Sequence, residues 1–329
     1  MYILDFFKGL FKKQNIGLII WLVLNTLLIV AIFSNGFTSL GGAFFGLGLY
    51  IVSLVIALSP IGEWILRLQT GCKKMEDPEL LARFEPIFNE VYAKAKAANP
   101  ELPDNVKLFV SDSDEPNAFA TGRKTVCVTK GLLVYSDEQI KGVLAHEFGH
   151  LAHKDTDAIL VVSVGNLIVT AIFVIIRVLA TISMVFAEFL ANIFADGIGG
   201  FIASISMHLG RIIADVVLAL LMRAWTQLGV WLCMHSSRKN EFEADAYAAN
   251  FGYGESLCQV LESFGTGGKA KGLFAALASS HPDTDKRIAN IRTVDAKRMI
   301  AASQTAAPAV NAAPAVNNVQ RNSVIIPRQ

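Results

Sequence analysis

QNIGLIIWLVLNTLLIVAIFSNGFTSLGGAFFGLGLYIVSLVIALSPIG, residues 14–62, runs for 49 positions without a charged side chain. A membrane-spanning helix needs about 20 apolar residues, so the run is too long for one helix. It is also too uniformly apolar for a hairpin in a soluble core, whose helices keep a polar face. The run divides at Ser34-Asn35-Gly36, a turn-prone triplet. We read two spans, Ile16–Phe33 and 37–58, joined by a very short loop. The first is too long for a cleavable signal peptide, and no small-residue cleavage site follows it.

Composition agrees. The 329 residues are 53% hydrophobic and only 17% charged, where a soluble domain carries roughly 25% charged residues. That deficit excludes both a simple soluble enzyme and a disordered chain. Lys+Arg number 29 and Asp+Glu 28, a net +1, which leaves no electrostatic footprint for nucleic acid. A second uncharged run, 158–176, ends at Arg177 and predicts a third span. A fourth, about 212–234, holds Asp215 and Arg223. Charges at such depth face a protein interior or an interface. Between these two lies an apolar stretch read as irregular, with Glu188, Asp196, Gly197, Gly199 and Gly200.

Lys and Arg near the spans set their orientation. Lys8, Lys12 and Lys13 precede the first, Arg67, Lys73 and Lys74 follow the second, Lys154 precedes the third, and Arg238 and Lys239 follow the fourth. All four flanks point to the cytoplasm. The expected organisation is a membrane hairpin (1–60), a first polar part (61–156), a second hairpin (157–234) and a second polar part (235–300). The polar parts then meet as one cytoplasmic domain, and 301–329, rich in Ala, Pro, Asn, Val and Gln, is a flexible tail. Cys72, Cys127, Cys233 and Cys258 show no CxxC spacing and read as reduced thiols.

The chemistry centres on SDEQIKGVLAHEFGH, residues 136–150. Ser136 and Gln139 form a capping box, and Ile140, Val143 and Leu144 follow a helical apolar period. His146 and His150, four apart, project from one face one turn apart, so they can share one zinc ion, and Glu147 can reach a water on the metal without ligating it. This is H-E-x-x-H. Catalytic zinc takes three protein ligands. His153 lies some 10 Å along the helix from His146, with no Gly to fold the chain back, and reads as an outer or exposed residue. SRKNEFEADAYAANFG (237–252) is the better source: a helix continuing from the fourth span and stopping near Gly252, with Glu241 and Asp245 on one face and Glu243 turned elsewhere.

Together these segments resemble the HtpX family of membrane-embedded zinc metallopeptidases, more distantly the CAAX prenyl endopeptidases. The likeness runs from the first span to about Arg292 and rests on NAFATG (117–122), HEFGH (146–150), SRKNEFEAD (237–245) and HPDTDKRI (281–288). It implies Glu241 as third ligand of one Zn²⁺ per chain. It also implies an α+β membrane protein of about four transmembrane helices with a mostly helical, zincin-like cytoplasmic domain and a small β-sheet. The activity implied is an endopeptidase of the bacterial inner membrane that degrades misfolded membrane proteins under stress.

Mechanism follows from the residue types. Glu147 is the expected general base, returning its proton to the leaving amine. Asp245 either fixes the tautomer of a ligand histidine or donates a proton. His281 and Arg287, which the resemblance to the family motif places near the site, are candidates for the oxyanion donor. The segments 106–110, 117–121 and Thr125–Thr129 read as short strands. An edge strand carrying Asn117, Ala118 and Phe119 beside the zinc would take an extended peptide by backbone pairing. Expected partners are unfolded or membrane proteins and membrane lipid, with the site near the cytoplasmic headgroups. Two other classes compete. A prenyl-protein endopeptidase would have more spans around a large chamber, and a non-catalytic zinc scaffold would need four Cys or His ligands.

Overall fold

The computed structural model describes residues 2–11, 15–194, 198–236, 238–264 and 284–306. After a short N-terminal helix, α1 (Tyr2–Leu10), the 14–62 run forms α2 (Ile16–Phe33) and α3 (Leu40–Ala57). The chain reverses between them through Asn35, Gly36 and Phe37, all at positive φ, and Ser39 caps α3 by accepting the Gly42 N–H. The reversal consumes 37–39, so the second span starts at Leu40 and not at 37. Next come α4 (Pro60–Gln69), started by a Ser59 cap and Pro60, β1 (Lys73–Lys74), and α5 (Pro78–Ala98), started by an Asp77 cap and Pro78. Pro at the first helical position loses no intrahelical hydrogen bond and has its φ preset.

The strands β2 (Lys107–Ser111), β3 (Ala118–Thr121) and β4 (Thr125–Thr129) join β1 in one mixed sheet of order β1-β2-β4-β3. β2 runs parallel to β4, β3 antiparallel to it, and β3 is an edge. A 3₁₀ turn (Lys130–Val134) leads to α6 (Asp137–His153), whose start carries the expected Ser136–Gln139 capping box. Beyond the second membrane hairpin follow α10 (Arg238–Asn250), α11 (Gly254–Phe264) and α12 (Thr284–Ala306). Gly252, at φ 86°, turns the chain out of α10. One core holds Phe84, Val91, Val126, Ile140, Leu144 and Phe148 together with Ala248 and Ile291. The polar segments before and after the hairpin thus share one apolar interior.

The hairpin itself comprises α7 (Thr156–Ile159), a turn of π-helix (Leu160–Gly165), α8 (Asn166–Phe194) and α9 (Ile198–Ser236). Here the structure corrects the sequence reading. The stretch expected to be irregular is helical up to Phe194 and again from Ile198, Gly199 and Gly200 included; Asp196 and Gly197 lie outside the described residues. A Gly costs a helix only about 1 kcal/mol, so two of them do not forbid one. Among the described residues, the segments long and apolar enough to cross a membrane are Ile16–Phe33, Leu40–Ala57, Thr156–Leu190 and His208–Cys233. The third, 35 residues long, measures about 52 Å at 1.5 Å per residue and exceeds the ~30 Å hydrocarbon core. Polar contacts tie the bundle: Asn25 Nδ2 donates to Asn166 Oδ1 (2.8 Å), Asn166 Nδ2 to Thr226 Oγ1 (3.1 Å) and Trp225 Nε1 to Asn25 Oδ1 (2.9 Å). The result is an α+β membrane protein with, among the described residues, four apolar helices and one small sheet.

Candidate metal centre

The inner face of α6 packs on α5 and α11 and its C-terminal half on α10. Phe148 lies fully buried against Phe88 and Tyr92, with ring centroids 5.5 Å away from each. Gly149 lets the backbones of α6 and α10 meet: a Cβ there would stand 2.8 Å from Ala244 Cα. That close approach faces His146 and His150 toward Glu241, one turn upstream of Ala244.

Among the described residues, His146, His150 and Glu241 are the group whose ligand atoms all lie within 4.8 Å of one another. The two Nε2 atoms are 3.2 Å apart. Glu241 Oε2 is 3.7 Å from His146 Nε2 and Oε1 is 3.5 Å from His150 Nε2. Four ligands in a tetrahedron at 2.0–2.1 Å from a zinc ion stand about 3.3 Å apart. The three donors therefore already have the spacing that a tetrahedral cation demands. His153 stays outside the group, at the end of α6 and edge-on to Tyr247.

Each histidine is oriented from behind by a carboxylate. His146 Nδ1 stands 2.9 Å from Asp245 Oδ1 and His150 Nδ1 stands 3.1 Å from Asp155 Oδ2, which leaves both Nε2 atoms for a metal. Asp155 reaches back because Lys154, at φ 62°, ends α6 in the left-handed region, and Asn240 Nδ2 donates to its second oxygen (2.8 Å). Burial alone would push the His150 imidazole down; the Asp155 hydrogen bond and the Glu241 and Glu147 charges outweigh it and raise it to about 10. The pocket thus holds positive charge strongly, as a divalent-cation site must. Neither Asp155 nor Asn240 was legible: no sequence signal marks a lysine that turns left-handed.

The residues between 81 and 295, most of the two polar parts and the second membrane hairpin, match the family model described as Peptidase family M48. The chain belongs to that family. It is also similar to proteins named Protease HtpX. The one from Pseudomonas paraeruginosa (strain DSM 24068 / PA7) is 29% identical over 273 residues, covering 76% of this chain and 84% of the relative. That from Hahella chejuensis is 29% identical over 278 residues (75% and 83%), and that from Shewanella loihica 26% over 295 residues (80% and 93%). This M48 peptidase is accordingly a membrane metalloprotease, a metal-dependent hydrolase of peptide bonds.

Within the M48 core, Glu147 is 7% exposed, and its Oε2 accepts the backbone N–H of Ala120 at 2.7 Å. Asp245 is fully buried. Burial would push its carboxyl up, but Arg287 and His146 outweigh that and hold it at about 2. Arg287, 2% exposed, grips both Asp245 oxygens, Nε to Oδ2 at 2.8 Å and Nη2 to Oδ1 at 2.7 Å. Its Nη1 stands 3.5 Å from Glu241 Oε2. Arg287, one of two candidates for the oxyanion donor, is engaged here with these two carboxylates. His281 lies outside the described residues. Asn117 pairs with Thr129, whose N–H donates to the Asn117 carbonyl at 2.9 Å. By the alternation of an antiparallel ladder, the N–H groups of Ala118 and Ala120 then face the open edge, with Phe119 turned to β4.

Proposed function

We propose that the chain is a zinc endopeptidase of the bacterial inner membrane that cleaves misfolded or damaged membrane proteins and unfolded chains in quality control. The observation that carries this is the spacing of His146, His150 and Glu241 donors beside Glu147, itself anchored to the open edge of β3. The positive flanks of all four spans favour a cytoplasmic site, with the polar parts 61–156 and 235–300 as the working unit and 1–60 and 157–234 as membrane hairpins.

His146, His150 and Glu241 would hold the ion. When bound, zinc supplies Lewis acidity, polarising a carbonyl oxygen and bringing the pKa of water to about 7. Glu147 takes the proton on Oε1 while the Ala120 N–H fixes Oε2, then returns it to the leaving amine. Asp245 and Asp155 hold the two imidazoles in one tautomer and orientation. Arg287 acts as a positioning residue that neutralises Asp245 and steadies Glu241. With the Ala120 N–H held by Glu147, an extended substrate pairs with the outward backbone groups of Ala118 and the Ala120 carbonyl, with Asn117 and Phe119 framing it, so recognition follows conformation more than sequence.

The test is purification in detergent without added metal, followed by zinc addition with a loosely folded protein as substrate. Glu147→Gln should retain zinc and lose cleavage by about 10²–10⁴-fold, and Glu241→Ala should lose both. Full turnover by Glu147→Gln would refute the mechanism.

A further inference from the structure

A cavity of about 880 Å³ lies between α8 and α9, inside the membrane-spanning region. That is within the roughly 300–1,000 Å³ of ligand-binding pockets. Its wall is mostly apolar, Val174 and Val216 included, yet Ser163, Thr170, Arg223, Gln227 and Gln69 break it. Ser163 is 4% exposed and its Oγ has no hydrogen-bond partner. It sits in the π-helical turn, a rare feature that recurs at functional sites. The other charge on the wall, Asp215, is already matched by Arg177 Nε at 3.0 Å. Among the described residues Arg223 has no such partner, and it lies about 15 Å along α9 from Cys233. A lone cation at bilayer depth is expensive and calls for a counter-charge.

We propose that this cavity admits a membrane-embedded segment of the substrate polypeptide, and that Arg223 selects segments carrying an acidic side chain. The inference rests on the endopeptidase reading above and specifies its substrate class. An acyl chain would fill the volume but leave Ser163, Gln227 and Arg223 unanswered. A polypeptide with polar side chains answers them. Correctly assembled membrane proteins keep their intramembrane carboxylates paired inside their own bundle. A misassembled one leaves such a group facing lipid, and Arg223 offers it a partner.

The route onward is built into α4. Gln69, at the end of the cavity nearest the protease core, closes α4. Glu63 of that helix accepts the Arg123 N–H at 2.7 Å, and Arg67 Nη1 donates to Thr125 Oγ1 at 2.9 Å. A segment leaving the cavity along α4 therefore arrives at the β3–β4 turn and the open edge beside Glu147.

The test uses the full-length zinc-loaded enzyme in phosphatidylcholine vesicles, with a single-span substrate bearing a flexible tail. Asp or Asn is placed in turn along the span. Polar contacts between membrane helices shift binding about three- to twenty-fold, so Asp at the depth of Arg223 should raise kcat/KM over Asn by that factor. Arg223→Glu should invert the ratio and favour Lys at the same position. The readout is a ratio between substrates, so any general loss of activity cancels. Equal cleavage of the Asp and Asn substrates by the native enzyme overturns the proposal. A photocrosslinking residue at Val174 in Glu147→Gln enzyme should capture the Asp-bearing span; adducts to phospholipid alone also overturn it. Failure of the native enzyme to cut a soluble unfolded protein would instead strike the endopeptidase reading itself.

Discussion

Replacing Gly149 by Ala tests whether the α6–α10 contact sets the metal geometry. The new methyl would meet Ala244 Cα at 2.8 Å, Ala244 Cβ at 3.1 Å and Tyr247 Cβ at 3.2 Å. Carbon atoms rest at about 3.5–4.0 Å, and the obstacles are backbone and Cβ atoms that no rotamer change removes. The helices must part by about 0.7 Å or more. Glu241 sits one turn before Ala244 on the same helix, so its carboxylate retreats from both Nε2 atoms, already 3.5 and 3.7 Å from its oxygens. Metal–ligand distances tolerate only about 0.2 Å. Overpacking costs about 1–3 kcal/mol, against a gain of about 1 kcal/mol from helix propensity, so the fold should lose no more than about 2 kcal/mol. Zinc affinity should fall more, by about 10–100-fold, as when the support of a ligand is disturbed. Competition with a chromophoric chelator gives the affinity, and thermal unfolding in excess chelator gives the stability of the metal-free fold. Gly142→Ala is the control. Its methyl would meet Leu257 N at 2.9 Å, a similar clash on the same helix but against α11, so it should lower the midpoint and spare zinc binding. If Gly149→Ala binds zinc within about twofold of the native protein, the argument that this contact sets the site is wrong.

Other perturbations follow from the same contacts. Asp245→Asn removes the carboxylate that Arg287 grips and His146 faces, and leaves the buried guanidinium with the longer 3.5 Å contact to Glu241. We expect about 3–5 kcal/mol less stability in chemical denaturation and a 10–100-fold weaker zinc affinity. Arg123→Ala removes the guanidinium from Asp157, which now receives Nε at 3.1 Å and Nη2 at 2.6 Å with both residues buried. It should destabilise comparably and loosen β3, seen as faster amide exchange at Ala118–Thr121. Glu90 is held at about 2 by hydrogen bonds from Lys141 and Tyr253, with Lys94 adding to them. Its folded value lies below the ordinary one, so its contribution is present above about pH 4.5 and vanishes as pH falls toward 2. The pair is solvent-exposed, so the effect is a few tenths of a kcal/mol. Thermal midpoints of native and Glu90→Gln protein should differ slightly at pH 7 and converge below about pH 3.

The parts of this molecule legible in sequence are those fixed by local period or by long uniform runs. The 14–62 run and its turn at Asn35 and Gly36 gave two spans because lipid leaves the backbone no alternative to helix. His146 and His150 share a face by helical spacing alone; the same geometry puts Glu241 and Asp245 on one face of α10, and the family resemblance singles out Glu241. What stayed hidden depends on distant pairing or on backbone states without a residue signature. β1 is two lysines with no apolar alternation, placed only by pairing with Phe109 and Val110. Glu63, Arg123 and Asp157 read as ordinary charges until the fold brings them together from 60 and 34 positions apart. Arg287 was visible as a motif residue, but its function depends on where α12 lands against α10, which periodicity does not specify.

The charges around the metal centre explain why these outer residues matter as much as the ligands. Glu147, Glu241, Asp155 and Asp245 converge on two imidazoles, with Arg287 as the buried cation among them. Four carboxylates against one guanidinium leave a deficit of positive charge in a place with little water to screen it. The same deficit raises the His150 imidazole, through the Asp155 hydrogen bond and the Glu241 and Glu147 charges. A divalent ion held by His146, His150 and Glu241 would offset it. Removing Arg287 would deepen the deficit, so the metal should bind more tightly while Glu241, no longer steadied at 3.5 Å, holds it in poorer geometry. Affinity and turnover should therefore move in opposite directions in Arg287→Gln. A guanidinium placed there to lower the affinity of a competing site would not have that signature, whereas one placed to orient the third ligand must.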